Sequence, residues 1–481
     1  MLVRVEAALD GAAGMLPPLA AALAALSALL ALVSSLLYCC LRAAWRRTHP
    51  RTTEEDWVDI KKRVVFVHPD LGVGGAERLV VDAAMELVSR GYVVNVYTAF
   101  HSEERCFPET LSGAFGVHER GNFLPRSVGG YGHALCAYVR TLYAALCALA
   151  EEGGAHANES VFFVDQVAFV VPFLRAAGAP VAFYCHFPDL LLARRGSALR
   201  RLYRLPIDLA EELATGCSSV VMVNSEYTLS VYRSTFPLAR CGPSGAPPTV
   251  VRPAVSTAAI AFAEANREAP RAALAALPDP AGGFARGAPL FVSLNRFERK
   301  KKVELAVLAL AELRADAGAS AAARSSNLIV AGGHDPRLPE NVEYLEELRA
   351  LAAARGVGDR VAFVPNYSSE ARGALLRAST AVVYTPPNEH FGIVPLEAMA
   401  AGRPVIACDS GGPRESVVHG ATGLLCEPTA RGFAGAMAAL ADAPVARRNE
   451  MGAAARRRVE EEFSRSRLGD DLEEAIRPLF Y

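Results

Sequence analysis

The feature that most constrains this chain is an alternation: from Lys61 onward, short apolar strand-like runs are separated by helical stretches, in two sets of five. The first set is Val64 to Val67, Val93 to Thr98, Val161 to Val164, Val181 to Tyr184 and Val220 to Val223. The second is Leu290 to Leu294, Leu328 to Ala331, Val361 to Val364, Ala381 to Thr385 and Val405 to Cys408. Runs of this length, apolar on both faces, belong in parallel sheets covered by helices on each side. Between the sets, Pro237 to Pro289 is rich in Pro, Gly and Ala, which places a domain junction there. The expected fold is α/β, with two Rossmann-like domains facing a cleft and ligands at the C-terminal ends of strands. The expected division is 1–60 as membrane anchor and basic linker, 61–270 and 271–460 as the two domains, and 461–481 as a C-terminal helical segment.

The N-terminus carries a second constraint. No charged residue lies between Asp10 and Arg42, and Leu19 to Leu41 as a helix would span about 34 Å, enough to cross a bilayer. Arg42, Arg46, Arg47, Arg51, Lys61, Lys62 and Arg63 follow it, so the positive-inside rule places the bulk of the chain in the cytosol. A cleaved signal peptide is the rival reading, against which stand the length of the apolar stretch and the side on which the charge falls. Formal net charge is −1 over 481 residues, which excludes a broad nucleic-acid-binding field. Ten scattered cysteines, without a Cys-x-x-Cys pair, make neither a zinc pattern nor a disulfide framework. Asn158-Glu159-Ser160 and Asn366-Tyr367-Ser368 match glycosylation acceptors but should stay unmodified on a cytosolic face.

The chemistry concentrates in Asn388-Glu389-His390-Phe391-Gly392-Ile393-Val394-Pro395-Leu396-Glu397, where two carboxylates stand eight positions apart after a buried strand. Pro395 can open a helix here and Gly402 can close it. Glu389 then lies in a loop, Glu397 one turn inside the helix, and the N–H groups of Phe391, Gly392, Ile393 and Val394 form an anion site. His390 is a further candidate beside Glu389. After the first strand comes His68-Pro69-Asp70-Leu71-Gly72-Val73-Gly74-Gly75-Ala76-Glu77-Arg78, in which Gly74 and Gly75 permit close approach of backbone to a ligand. The stretch is neither a dinucleotide fingerprint nor a Walker loop, which disfavours a nicotinamide enzyme. Arg296 and Lys301 follow the strand ending at Leu294 and offer fixed cations to an anionic ligand. Lys300 is the alternative to Lys301. His186, with Pro188 and Asp189 behind it, ends another strand, and Asp165-Gln166 ends its neighbour.

Glu389 and Glu397 resemble the Glu-x7-Glu signature of retaining GT-B glycosyltransferases of family four. The resemblance implies that Glu389 faces the donor sugar's hydroxyls and Glu397 the nucleotide ribose. It also implies that His186 contacts the sugar or its oxocarbenium-like transition state, and that Arg296 and Lys301 hold the diphosphate. By the same resemblance the helix from Ser466 to Arg477 crosses back to the first domain. Longer blocks, among them Tyr184-Cys185-His186-Phe187-Pro188-Asp189 and Asn295-Arg296-Phe297-Glu298-Arg299-Lys300-Lys301, are similar to mannosyltransferases that extend dolichol-linked oligosaccharide. That similarity implies GDP-mannose as co-substrate, a mannosyl-chitobiosyl-diphosphodolichol acceptor, and addition of an α-1,3 and then an α-1,6 mannose. It further implies the cytosolic face of the endoplasmic reticulum membrane, other early dolichol-pathway glycosyltransferases as partners, and no metal or cofactor. The N-terminal span has no counterpart in that resemblance. Two other readings stand beside it: a family-four enzyme with a different donor or acceptor, and a membrane-tethered sugar-nucleotide-binding scaffold without turnover.

Overall fold

The computed structural model describes residues 62–127, 132–156, 159–193, 196, 198–239, 247–255, 284 and 287–480. The apolar stretch Leu19 to Leu41, Asn158 and most of Pro237 to Pro289 lie outside them. The chain divides into two compact units. One comprises the chain up to Asn224, Thr228–Arg252 and Leu468–Tyr481; the other comprises Ser225–Tyr227 and Pro253–Arg467.

The first unit is built on a seven-stranded parallel sheet: β1 (Arg63–His68), β2 (Val93–Thr98), β3 (Gly116–Glu119), β4 (Ser160–Asp165), β5 (Val181–Cys185), β6 (Val220–Val223) and β7 (Thr249–Val250), in the order β3-β2-β1-β4-β5-β6-β7. The second holds six: β8 (Leu290–Leu294), β9 (Asn327–Gly332), β10 (Val361–Pro365), β11 (Ala381–Tyr384), β12 (Val405–Cys408) and β13 (Gly423–Cys426), in the order β10-β9-β8-β11-β12-β13. Counted from its own first strand, each sheet runs third, second, first, fourth, fifth, sixth, and the first sheet adds a seventh. This is the doubly wound order, and its ligand crevice opens where the order reverses, between first and fourth strands. Those places are β1/β4 in one unit and β8/β11 in the other.

All ten expected strands are present, with ends within one residue of those read from the sequence. β4 and β9 are buried at all six positions, as an apolar run predicts for an inner strand. The sequence reading missed β3, β7 and β13, and all three are outer strands. An outer strand needs fewer apolar residues, because one edge faces away from the sheet. Here they are a four-residue Gly-Val-His-Glu, a two-residue Thr-Val and a short run opened by Gly423.

Aromatic rings fill both cores. Phe66 and Phe163 lie 4.6 Å apart between centroids, with Tyr184 beyond, its hydroxyl donating to the Val251 carbonyl at 2.7 Å. Phe291, Phe297 and Phe433 are fully buried in the second unit. Each such ring contributes about 1.5–3 kcal/mol of burial. The chain's far end belongs to the first unit: Arg90 pairs with Asp470 at 2.8 Å and Glu473 at 3.0 Å, and the Tyr92 hydroxyl donates to Glu473 at 2.9 Å.

The helix His133–His156 is apolar and long enough over His133–Glu152 to cross a membrane. Tyr138, Thr141, Ala144, Ala145 and Ala148 are nevertheless buried on one face, and the helix packs on β1 and β2. Leu135, Val139, Tyr143 and Leu146 are exposed on the other. It is a surface helix of the domain with an apolar outer stripe. Asn366 has both ends of its side-chain amide bonded to the backbone of His334, each at 2.8 Å.

Candidate active site

In the second unit the site is assembled where β8 and β11 run side by side. The chain leaves β8 through a single 3-10 turn, Arg299–Lys301, closed by Lys302 in left-handed backbone with φ 51°. The Thr385 hydroxyl, just past β11, donates to the Lys301 carbonyl at 2.8 Å and ties this turn to the neighbouring strand. The Lys301 ammonium then reaches Glu389 Oε2 at 2.5 Å, and the Tyr384 hydroxyl donates to the same oxygen at 3.0 Å. Lys301 and Glu389 are only 16% and 19% exposed. Burial alone pushes the Glu389 carboxyl up; the attraction of Lys301 outweighs it and holds the group below its ordinary value. Lys300, by contrast, is 68% exposed and pairs with Glu298, so Lys301 is the cation that meets the motif.

The loop bearing Glu389 is braced from behind. Its backbone passes through left-handed conformations at Asn388 (φ 52°) and Gly392 (φ 84°). Asn388 N–H donates to the Ser410 hydroxyl at 3.0 Å, and Gly412 N–H to the Glu389 carbonyl at 2.8 Å. Gly411, itself at φ 64°, lies against the Glu389 backbone so closely that a β-carbon would collide with it.

The following helix is Ile393–Ala400, opening two residues before Pro395 rather than at it. Proline is tolerated there because the first turn's N–H groups have no intrahelical partner to lose. For the same reason the Ile393 and Val394 N–H groups remain available to an anion. Glu397, on this helix, pairs with Arg372 of the helix Ser369–Ala378. The Phe391 ring is buried against Phe463, which leaves its backbone as the part able to meet a ligand. The His390 carbonyl accepts from the Ser225 hydroxyl at 2.6 Å. Arg296 is 65% exposed and pairs with Glu298 at 3.1 Å, not with either glutamate of the motif.

In the first unit the corresponding place, between β1 and β4, holds a carboxylate between two histidines. Asp165 ends β4, and its Oδ2 lies 2.8 Å from Nδ1 of His68, which ends β1. Its Oδ1 lies 2.7 Å from Nε2 of His186, at ion-pair distance though not aligned for a hydrogen bond. His68 and Asp165 are buried, while His186 is 24% exposed. Burial opposes the Asp165 charge, but His186 and His68 overcome it and draw the carboxyl down to about 2. Burial likewise opposes a charged His68, yet the bond to Asp165 leaves that imidazole raised. The His186 carbonyl accepts from the Asn224 amide at 2.9 Å, fixing the backbone after β5.

Gly74 caps the helix Gly75–Ser89 in extended backbone, and a β-carbon on it would strike the Glu77 carboxylate of the first turn. That carboxylate already complements the positive helix end. Asp189 is exposed at the start of the short helix Asp189–Leu192, its N–H donating to Glu211 at 2.7 Å. Sequence reasoning passed over Tyr384, Thr385, Arg372 and His68. A signal existed for two of them, since His68 and Tyr384 are the last residues of strands flanking a reversal in sheet order.

Comparison with known proteins identifies the family and the fold. The family described as Glycosyltransferase Family 4 matches residues 73–258, and Glycosyl transferases group 1 matches residues 279–458. Among solved structures, a sucrose-phosphate synthase from Thermosynechococcus elongatus superposes with a TM-score of 0.65 at 22% identity, over 87% of this chain and 99% of that one. A glycosyltransferase from Rickettsia africae gives 0.64 at 15% identity, over 87% and 98%. These likenesses show the fold, a two-domain GT-B arrangement of parallel sheets. The alpha-1,3/1,6-mannosyltransferase ALG2 of Homo sapiens is 42% identical over 86% of this chain and 95% of its own length. That of Dictyostelium discoideum is 37% identical over 86% and 98%. At that identity and coverage, this chain belongs to the family of alpha-1,3/1,6-mannosyltransferases and is a glycosyltransferase.

Proposed function

We propose that this enzyme transfers mannose from GDP-mannose to a mannosyl-chitobiosyl-diphosphodolichol acceptor, adding an α-1,3 and then an α-1,6 residue with retention of configuration. The observation that carries this reading is the buried Lys301–Glu389–Tyr384 cluster at the β8/β11 reversal, where a doubly wound sheet takes its ligand. It presents an ionised carboxylate able to accept from sugar hydroxyls, beside a cation and helical N–H groups able to hold phosphate oxygens.

In the proposed step the bond from the mannose anomeric carbon to the diphosphate oxygen breaks. An acceptor hydroxyl oxygen bonds to that carbon on the same face, and its proton passes to the departing phosphate, releasing GDP. Glu389 orients the donor hydroxyls and Glu397 the ribose. Lys301, Arg296 and the N–H groups from Phe391 to Val394 meet the negative charge that grows on the leaving group. Each preorganised contact of this kind contributes about 2.7–4 kcal/mol to a barrier. His186, steadied by Asp165, faces the developing positive charge on the sugar; Gly74, Gly75, His390 and Asp189 shape the surroundings. Residues 61–270 serve the acceptor and 271–460 the donor. The anchor at the N-terminus holds both on the cytosolic face of the endoplasmic reticulum, beside other early dolichol-pathway glycosyltransferases.

The test is to supply purified protein with a short lipid-linked acceptor and either GDP-mannose or UDP-glucose, then map the linkages formed. Product from GDP-mannose carrying α-1,3 and α-1,6 mannose supports the proposal. Turnover only with UDP-glucose, or binding without turnover, rejects it.

A further inference from the structure

A cavity of about 170 Å³ opens in the first unit at the C-terminal end of β1, lined by Asp70, Arg126, His133, Ala137, Arg140 and Thr141 with Pro69. Its volume is several times what one water molecule needs. Two guanidinium groups converge in it on a single carboxylate. The Arg140 side chain is only 5% exposed, held by the Ala99 carbonyl at 3.1 Å and the Leu124 carbonyl at 3.4 Å, and reaches Asp70 at 3.3 Å. Arg126 lies over the Phe100 ring at 4.3 Å and stands 3.6 Å from Asp70. Asp70 is the cavity's one acidic lining residue and is itself 48% exposed. Two arginines against one half-exposed carboxylate leave a net positive concavity. Arginine's planar fork suits phosphate oxygens, which would share the guanidiniums with Asp70.

The apolar stripe of the helix His133–His156 begins beside this cavity. Leu135, Val139, Tyr143 and Leu146 are 58%, 47%, 39% and 37% exposed, and Phe123, 73% exposed, meets the Tyr143 ring edge-on at 5.1 Å. From Leu135 to Leu146 the stripe runs about 16 Å along the helix axis. A continuous exposed apolar stripe on a domain surface marks an interaction site. His133 and Ala137 line the cavity on this same helix, so the charged hollow sits at the stripe's head.

We infer that the Arg126–Arg140 cavity and the Leu135–Leu146 stripe together form a subsite for a diphosphate carried on a long isoprenoid chain, phosphate in the hollow and hydrocarbon along the helix. The inference rests on the mannosyltransferase reading above and deepens it by assigning the acceptor's lipid-diphosphate end. The diphosphate of the acceptor, not an anionic headgroup of the bilayer, is the occupant, because Asp70 follows two residues after His68. The hollow therefore opens at the same end of β1 as the His68–Asp165–His186 cluster, toward which the sugars beyond the phosphate can extend.

The test uses the full chain and Arg126→Gln, whose exposed side chain makes it compatible with folding. Farnesyl diphosphate binding, measured by calorimetry, should weaken about tenfold in Arg126→Gln, the loss of one charge-assisted contact. Inorganic diphosphate should bind far more weakly than farnesyl diphosphate to the unaltered chain, and Val139→Ser should narrow that gap. In transfer assays the acceptor KM of Arg126→Gln should rise by a similar factor with a diphosphate-linked acceptor and not with a phosphate-free one. Equal farnesyl diphosphate affinity in the two proteins overturns the inference. So does a variant that loses binding only to vesicles of anionic phospholipid, since the hollow would then serve the bilayer. Absence of product from every acceptor would count against the mannosyltransferase reading alone, because the calorimetric result judges the subsite separately.

Discussion

Lys301 Nζ and Glu389 Oε2 stand 2.5 Å apart although 88 positions separate them in the chain. Each residue follows one of two adjacent strands, β8 and β11, that straddle the reversal in sheet order. The pair therefore stands where a doubly wound sheet takes its ligand.

Glu389→Gln keeps the shape of the side chain and removes its charge. Mannose transfer should fall by about 10²–10³, the scale of losing one preorganised electrostatic group. The protein should still fold and bind GDP, with a stability loss of about 1–3 kcal/mol from leaving Lys301 charged and largely buried without its partner. Product formation per mole of folded enzyme, with a urea melt as control, decides this. Near-normal transfer would remove Glu389 from the site.

Tyr384→Phe deletes one hydroxyl donor to Glu389 and leaves Lys301 in place. The expected loss is about 1 kcal/mol, or roughly fivefold in kcat/KM. A loss as deep as that of Glu389→Gln would mean that the hydroxyl does more than support the carboxylate.

Two glycine substitutions separate bracing from mere flexibility. Gly411→Ala meets a positive φ and a collision with the Glu389 backbone, so it should cost about 1–3 kcal/mol of stability and displace the loop bearing Glu389. Gly435→Ala, in the exposed face of the helix Ala430–Asp442 with open space around it, should gain up to about 1 kcal/mol. Melting and transfer assays on both give opposite signs if the bracing is real.

The His68–Asp165 pair gives a pH dependence whose sign follows from the direction of each shift. His68 is raised in the folded state, so its contribution is full below the ordinary imidazole range and fades as pH rises through the raised value. Asp165 is drawn down to about 2, so its contribution is present above the ordinary carboxylate range and is lost only as pH falls toward that value. From the ordinary imidazole range upward, therefore, only His68 of this pair changes, and the stability gap between the unaltered chain and His68→Gln should shrink with rising pH. A gap that widens would reverse the assignment of charge on His68.

The sequence alone determined the parts of this protein that depend on neighbours along the chain. Nine inner strands were legible because a strand buried on both faces must be apolar throughout, and the outer strand Val361–Pro365 was legible because its run is apolar as well. The outer strands Gly116–Glu119, Thr249–Val250 and Gly423–Cys426 escaped, because their edges relax that demand. Glu389 and Glu397 were legible because one continuous strand, loop and helix carries both. Their partners were not. Lys301 was narrowed to two neighbours, and only the tie from Thr385 to its carbonyl aims it at Glu389 while Lys300 turns to Glu298. Arg372 lies 25 positions from Glu397, and His68 lies 97 from Asp165. The His68–Asp165 and Lys301–Glu389 pairs form because parallel strand order brings β1 beside β4 and β8 beside β11, and Arg372 meets Glu397 by the packing of two helices; no local propensity encodes either. Spacing along a chain sets which groups share an element; the packing of whole elements sets which charges meet.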